Sequence, residues 1–303
     1  MKTDKIIVHE VGPRDGLQVE KTIVPIEKKI AWIDGIMNSG IDIIQLGSFV
    51  NPKAVPQMQD TDQLFQHFTN PKNHPSNVIL SGLVLNERGL DRGLECGVEM
   101  FCMGVSASET HSQKNTRMTT SEALGRIIPM AKKAIDAGKK VQVSVQSAFG
   151  CGFEGTIPKE NVLTIVKNYI DAGLRNISLA DTAGHGQPMQ VEELFGEIRM
   201  LDDTLEMACH FHNTYGLGLA NCYAAIKAGV TSLESAYGGL GGCPFTKLPA
   251  GNVSTEDLVH SLQRMGYRKD INLDSLIDTA KAVETFFERE LPGSILKSGS
   301  IVS

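Results

Sequence analysis

The sequence predicts an α/β chain folded as a (β/α)8 TIM barrel with additional C-terminal helices. Eight short runs of apolar or β-branched residues alternate with amphipathic segments of helical spacing, which is typical of repeated strand–helix units. A second observation is a recurring Ala-Gly or Ser-Gly dipeptide between a helix and the next strand, where glycine can end the helix. It occurs at Ser39–Gly40, Ala137–Gly138, Ala172–Gly173 and Ala228–Gly229.

The eight predicted strands are short and rich in valine, isoleucine, leucine and phenylalanine, as buried parallel strands are. They are Lys5–Val11, Ile41–Phe49, Asn77–Leu85, Val98–Val105, Lys140–Val145, Asn176–Ala180, Met207–His212 and Thr231–Ala236. The clearest helices between and after them are Ile26–Asn38, Thr120–Ala137, Lys159–Ala172, Leu217–Ala228, Asn252–Met265 and Asn272–Glu290. Thr119, Thr120 and Ser121, with Glu122 behind them, are candidate caps for the second of these helices.

A doubly wound sheet is the rival architecture. It would normally carry a glycine-rich phosphate loop after the first strand, and the GPRDGLQ turn at that place cannot serve this purpose. No linker or low-complexity segment interrupts the chain. We therefore expect a single domain over residues 1–303, with the barrel at about 5–250 and C-terminal helices at about 252–290 that complete and cover it.

The composition is that of an ordinary globular protein, with 41% hydrophobic residues, 21% charged residues and a net charge of −6 over 303 residues. The mildly acidic balance argues against nucleic acid as a partner, and no apolar run reaches the length of a membrane span. The N-terminus has no secretory pattern, and the cysteines form no CxxC pair, so we expect a cytoplasmic protein with reduced thiols. The cysteines are Cys96, Cys102, Cys151, Cys209, Cys222 and Cys243.

The strongest indication of chemistry is the HxH pair His210 and His212, at the end of the seventh predicted strand. Side chains two apart on a strand share one face, so both imidazoles can aim at one point, as metal ligands must. A third ligand is expected to be a carboxylate, and Asp15 follows the first strand together with Arg14. Because the carboxyl ends of barrel strands meet at one mouth, these residues should face each other there.

Five segments occur in order that together resemble one enzyme family. They are EVGPRDGLQVEK, SFVNPKAVPQM, SASETHSQKN, HFHNTYGLGLAN and GGLGGCPFTKLPAGNVSTEDLV. The chain resembles the 3-hydroxy-3-methylglutaryl-CoA lyase family of metal-dependent barrel enzymes over about residues 5–290. The combination of GPRDGLQ with GGLGGCP is highly specific to the lyase branch.

The resemblance implies metal ligands at Asp15, His210, His212 and Asn252. From the residues alone, Asn252 would instead be interpreted as the N-cap of a helix over Val253–Leu262. Two imidazoles and two oxygens suit Mg²⁺ or Mn²⁺, and Zn²⁺ or Co²⁺ would also bind such a set.

The resemblance also implies catalytic roles. Arg14 would stabilise the enolate of acetyl-CoA, and Cys243 in the glycine-rich GGLGGCP loop would act near the protonation of that enolate. Asp181, at the end of the sixth strand, would orient a metal ligand or relay a proton.

Departures from the family pattern bear on the substrate. The family usually has glutamate where this chain has Gln45 and aspartate where it has Asn213. We expect these two amides to lie in one site and to compensate for a different arrangement of substrate oxygens at the metal, so that the preferred substrate changes. Lys21, in a loop expected at the barrel mouth, is a further candidate for substrate binding.

The leading function is cleavage of a 3-hydroxyacyl-CoA, either 3-hydroxy-3-methylglutaryl-CoA or a close analogue, to acetyl-CoA and a keto acid. The alternatives are a citramalyl-CoA lyase that releases pyruvate, a condensing synthase such as isopropylmalate or homocitrate synthase, and a non-catalytic barrel. The synthases usually carry a long C-terminal extension that this chain lacks. The family suggests a homodimer or homotetramer.

Overall fold

The computed structural model describes residues 5–73, 77–242 and 251–301. Eight parallel strands close into a barrel in which each strand pairs with its neighbours in chain order and β8 pairs with β1. This confirms the predicted (β/α)8 fold. The strands are β1 Ile7–Glu10, β2 Ile43–Ser48, β3 Ile79–Leu83, β4 Met100–Ser106, β5 Lys140–Gln146, β6 Asn176–Asp181, β7 Glu206–Phe211 and β8 Ser232–Ser235.

Helices follow the strands and form the outer layer. They are α1 Ile26–Ser39, α2 Thr61–Phe68, α3 Glu87–Glu95, α4 Glu109–Thr116, α5 Thr120–Asp136, α6 Lys159–Asp171, α7 Pro188–Leu201, α8 Gly218–Lys227, α9 Thr255–Arg264, α10 Leu273–Phe287 and α11 Ser294–Ser298. The predicted cap of α5 is confirmed at Thr119, which forms a capping box with Glu122. The glycines of the four recurring dipeptides all have positive φ, between 75° and 96°, as helix-ending glycines do.

The main hydrophobic core lies between the barrel and the helices, while the barrel interior holds a small apolar cluster of its own around Ile43, Met100 and Cys102. Polar side chains also enter the interior, where His9 Nε2 lies 2.8 Å from Ser81 Oγ. The C-terminal helices cover one side of the barrel, where Trp32 of α1 packs edge-on against Phe286 of α10. No helix in the described part of the chain is long and apolar enough to span a membrane.

Candidate active site and metal centre

The turn after β1 presents a positive and a negative side chain to the barrel mouth. Residues Gly12–Gly16 form a single helical turn that is entirely buried. Arg14 Nη1 donates to Asp15 Oδ1, and Arg14 Nε donates to the amide oxygen of Gln45 on β2. Gln18 Nε2 donates to the same Asp15 oxygen at 3.0 Å. These contacts leave Asp15 Oδ2 directed toward β7.

The HxH pair converges with Asp15 as the strand geometry predicts. The two imidazole Nε2 atoms of His210 and His212 are 3.2 Å apart, and each lies 3.9 Å from Asp15 Oδ2. All three side chains are buried. In the described residues they form the one cluster of three or more histidine, cysteine or carboxylate side chains that could hold a metal ion.

The outer nitrogen of each imidazole is anchored. His210 Nδ1 lies 3.0 Å from Glu234 Oε2 on β8, and His212 Nδ1 lies 3.0 Å from the carbonyl oxygen of Thr182. A carbonyl or carboxylate oxygen holds the proton on Nδ1, and the Nε2 lone pair is then available to a metal. Glu234 is held in turn by the Ser178 hydroxyl, which donates to its other oxygen at 3.0 Å.

The three candidate ligands pass a geometric test for a divalent ion. Their separations define a triangle whose centre lies about 2.1 Å from each ligand atom, within the range of about 2.0 to 2.2 Å for metal bonds to imidazole nitrogen and carboxylate oxygen. With both protons on Nδ1, the two Nε2 lone pairs lie close enough together to bind one cation. The donor set therefore fits a divalent metal.

Asn252 lies beside this cluster. Its Nδ2 donates to Asp15 Oδ2 and to the carbonyl oxygen of Leu240, both at 2.9 Å, and its Oδ1 is buried without a hydrogen-bond partner. An unpartnered buried amide oxygen is costly unless a cation or water satisfies it, so it fits a ligand position. The interpretation of Asn252 as an N-cap is wrong, because Ser254 caps α9.

The ionisable groups of the site shift one another's pKa values toward the charged forms. Burial would raise the pKa of Asp15, but the Arg14 guanidinium and the two histidines hold it well below the ordinary value. Burial would lower the pKa of His210, yet the hydrogen bond and charge of Glu234 and the charge of Asp15 raise it. Burial likewise opposes ionisation of Glu234, whose pKa is lowered by His210. Asp15 is therefore a carboxylate at neutral pH and is ready to bind a cation.

A cavity of about 460 Å³ opens over the cluster, which is a common size for a small-molecule site. One wall, from the ends of β2 and β3 and the loops after them, is largely apolar and contains Val50, Val55, Leu83 and Leu85. The adjoining wall, from β4, β5 and α4, includes the polar side chains His111, Asn115, Gln142, Ser144 and Gln146.

The structure separates the three residues predicted to meet the substrate. Gln45 is buried, lines the cavity and contacts Arg14. Asn213 is exposed, and its side chain accepts the backbone N–H of Gly218 at the start of α8, so it does not share a site with Gln45. Lys21 is exposed on the loop after β1 and does not line the cavity. Of these three residues, only Gln45 lines the cavity.

The predicted catalytic residues beyond Arg14 have different outcomes. Asp181 is fully buried and accepts the backbone N–H groups of His185 and Gly186, so it organises the loop after β6 rather than contacting a histidine side chain. The neighbouring Thr182 carbonyl contacts His212 instead. Cys243 lies outside the described residues, and its role stays a prediction.

Sequence reasoning missed the partners of the two imidazoles. Glu234 is a carboxylate within the β8 strand SLES, and an acidic residue in a buried strand is a signal that could have identified it. The Thr182 contact uses a backbone carbonyl, which no residue type in the sequence indicates.

Comparisons with known proteins agree with this architecture. A model of the HMGL-like family matches residues 5–283. The hydroxymethylglutaryl-CoA lyase YngG of Bacillus subtilis is 35% identical over 293 residues, covering 97% of each chain. The (R)-citramalyl-CoA lyase of Chloroflexus aurantiacus is 33% identical over 304 residues, covering 98% of this chain and 96% of that one.

Solved structures give the same result. An HMG-CoA lyase from Acinetobacter baumannii, in complex with coenzyme A and 3-methylmalate, superposes with a TM-score of 0.92 at 35% identity, covering 100% of this chain and 98% of that one. An HMG-CoA lyase from Pseudomonas aeruginosa gives 0.90 at 30% identity, with 97% of each chain covered. The family match, the long alignments to lyases and the shared barrel lead to one conclusion: the chain belongs to the HMGL-like family and is an enzyme of the lyase class.

Proposed function

We propose that this lyase cleaves a 3-hydroxyacyl-CoA ester to acetyl-CoA and a keto acid with the help of a divalent metal ion. The observation that carries the proposal is the convergence of Asp15, His210 and His212 in a cavity that also exposes Arg14. The proposal is also supported by lyase relatives that act on CoA esters and align along nearly the whole chain.

Asp15, His210, His212 and Asn252 would hold the ion, with Mg²⁺ or Mn²⁺ as the proposed metal. A bound divalent ion supplies Lewis acidity that lowers the pKa of a substrate hydroxyl. The chain itself orients both imidazoles through their Nδ1 atoms and keeps Asp15 ionised.

Arg14 provides the fixed positive charge for the developing enolate. Its Nε and Nη1 are held by Gln45 and Asp15, and Nη2 donates to no oxygen of the described residues while the side chain lines the cavity. A preorganised donor at this position would stabilise negative charge on the thioester oxygen during cleavage. The hydroxyl loses its proton and becomes the keto carbonyl as the bond between its carbon and the carbon next to the thioester breaks. The electron pair of that bond forms the enolate, and uptake of a proton at the enolate carbon gives acetyl-CoA.

The leading substrate is 3-hydroxy-3-methylglutaryl-CoA or a close analogue. The apolar wall formed by Val50, Val55, Leu83 and Leu85 suits an alkyl substituent on the carbon that bears the hydroxyl. The polar wall next to it offers hydrogen-bonding groups to the rest of the acyl chain.

Citramalyl-CoA is the second candidate, and Gln45 favours it. A neutral amide beside Arg14 makes the site less negative than a carboxylate would, which suits a more anionic ligand close to the metal. In citramalyl-CoA the hydroxyl and the carboxylate lie on one carbon and can chelate one ion. The Acinetobacter relative was solved with 3-methylmalate, an acid that also has hydroxyl and carboxylate on one carbon.

The test is acetyl-CoA release from three esters after exhaustive chelation and after return of Mn²⁺. We expect cleavage of 3-hydroxy-3-methylglutaryl-CoA or citramalyl-CoA only with metal, and little cleavage of 3-hydroxybutyryl-CoA, which has no free carboxylate. Full turnover by metal-free protein, or no cleavage of any ester, contradicts the proposal. Release of free CoA from acetyl-CoA and a 2-keto acid would instead support a condensing synthase.

A further inference from the structure

Two acidic side chains are buried behind the site, between the barrel and the C-terminal helices. Glu10 ends β1 and Glu256 lies in the first turn of α9, and both are 0% exposed. Neither forms an ion pair with any residue in the described ranges. Burial raises the pKa of Glu10 to about 8 and that of Glu256 to about 7. Buried acids without a cationic partner disfavour folding, so their presence calls for a function.

Glu10 joins three separate segments of the chain. Its Oε1 accepts the backbone N–H of Gly12 at 2.6 Å and that of Tyr237 at 3.1 Å. Its Oε2 accepts the hydroxyl of Thr255 at 2.6 Å. The contacts with Tyr237 and Thr255 span more than two hundred residues of sequence, so one carboxyl group connects the beginning of the barrel with its end.

Each of these segments carries or supports a residue of the candidate metal centre. Gly12 opens the turn that presents Arg14 and Asp15, and Thr255 is three residues after Asn252. The position of the Asp15 oxygen relative to the Asn252 amide, 2.9 Å from its Nδ2, therefore depends on how these two segments are held together.

Glu256 binds the segment that contains Tyr237, one residue further along the chain. Its Oε2 accepts the backbone N–H of Gly238 at 3.0 Å, next to the Tyr237 N–H that Glu10 binds. Gly238 and Gly239 both have positive φ, so the backbone here forms a tight turn. The turn leads to Leu240, whose carbonyl accepts Nδ2 of Asn252 at 2.9 Å.

We propose that Glu10 and Glu256 are positioning residues, a buried acid pair whose oxygens set the placement of the Arg14–Asp15 turn relative to the Asn252 segment. The inference rests on the proposed metal centre. Backbone N–H groups held by one shared acceptor cannot move independently, and a metal site requires its ligands to stay within about half an ångström of the binding geometry. The pair acts through hydrogen bonds and does not touch the substrate.

The decisive comparison is between Glu10→Gln and Glu10→Met. The glutamine oxygen can accept the same two backbone N–H groups, and its amide can donate to Thr255, whereas methionine fills similar space and accepts nothing. We expect Glu10→Gln to bind Mn²⁺ within about threefold of the wild type, and Glu10→Met to lose about 10- to 100-fold, as changes behind a metal site do. Calorimetric Mn²⁺ titration of protein shown to be folded by circular dichroism measures both, and kcat should follow the same order.

Arg268→Met is the matched control for a purely structural effect. Arg268 is also buried and charged, but it binds Asp42, Ile6 and Gly40 at the opposite end of the barrel. It should lower the thermal midpoint and leave the Mn²⁺ affinity of the folded protein unchanged. If Glu10→Met does not fold, Glu256→Met replaces it, with an expected loss of about 3- to 10-fold because only one N–H is released.

Two results would overturn the inference. One is wild-type Mn²⁺ affinity and kcat in folded Glu10→Met, or in Glu256→Met if that variant replaces it. The other is equal impairment of Glu10→Gln and Glu10→Met, since an acceptor for the two backbone N–H groups would then not be what the site requires. A wild-type protein that binds no Mn²⁺ is a different failure, because it contradicts the proposed metal centre itself.

Discussion

Glu234 offers the sharpest test of how the barrel prepares its metal centre. Its Oε2 lies 3.0 Å from His210 Nδ1 and its Oε1 accepts the Ser178 hydroxyl at 3.0 Å, all within a buried region. Glu234→Leu removes both contacts and leaves the imidazole free to turn. Glu234→Gln keeps an oxygen for His210 but removes the negative charge that makes the imidazole a better donor to metal.

The expected magnitudes follow from these contacts. Loss of an oriented carboxylate behind a metal-binding histidine costs about 10- to 100-fold in affinity, or about 1.4 to 2.7 kcal/mol. We expect Glu234→Leu near the upper value and Glu234→Gln near the lower. Calorimetric titration with Mn²⁺ at about pH 8, above the ordinary imidazole range, limits competition from protons.

The controls separate a local effect from a general one. Ser178→Ala keeps the contact between Glu234 and His210, so it should change the affinity by less than about threefold. Glu192→Gln breaks an exposed pair with Lys227 and should change nothing. Wild-type Mn²⁺ affinity in folded Glu234→Leu would refute the reasoning.

Three further outcomes are expected. Arg14→Met should lower kcat about 10²- to 10³-fold with a much smaller change in KM, and near-normal turnover would assign Arg14 to structure. The pKa of Glu10 is raised from 4.5 to about 8, so the free energy of unfolding of the wild type should fall as the pH rises between these two values. Glu10→Gln should remove up to about 5 kcal/mol of that loss. Urea unfolding over this pH range measures the effect, and parallel pH profiles of the two proteins would contradict it. Gln45→Glu should raise kcat/KM for 3-hydroxy-3-methylglutaryl-CoA relative to that for citramalyl-CoA. An unchanged ratio of the two values would show that Gln45 does not determine substrate specificity.

Much of the fold was predictable because its signals are local. The strand and helix patterns and the recurring helix-ending glycines each occupy a few consecutive residues, and a barrel closes its strands in chain order. The period of two along β7 places His210 and His212 on one face, and the shared mouth brings Asp15 to them. These inferences need no knowledge of packing between distant segments.

The amides of Gln45 and Asn213 show where such reasoning stops. Both are equivalent departures in the sequence, yet Gln45 contacts Arg14 inside the cavity, and Asn213 turns to the Gly218 N–H outside it. Residue type does not indicate which acceptor or donor is nearest after the loop has folded. The pattern around Asn252 was misleading for the same reason, because Ser254, two residues later, is the one placed to cap α9.

The sequence by itself determined the barrel and the meeting of Asp15, His210 and His212, since strand periodicity and chain-order closure suffice for both. Only the tertiary structure decided which groups form hydrogen bonds to those residues and to the segments that carry them. Glu234 reaches His210 across 24 residues, Thr182 reaches His212 across 30, and Glu10 reaches Thr255 across 245. The physical reason is that these hydrogen bonds depend on distances between separately folded segments, and no local pattern in the chain encodes such distances.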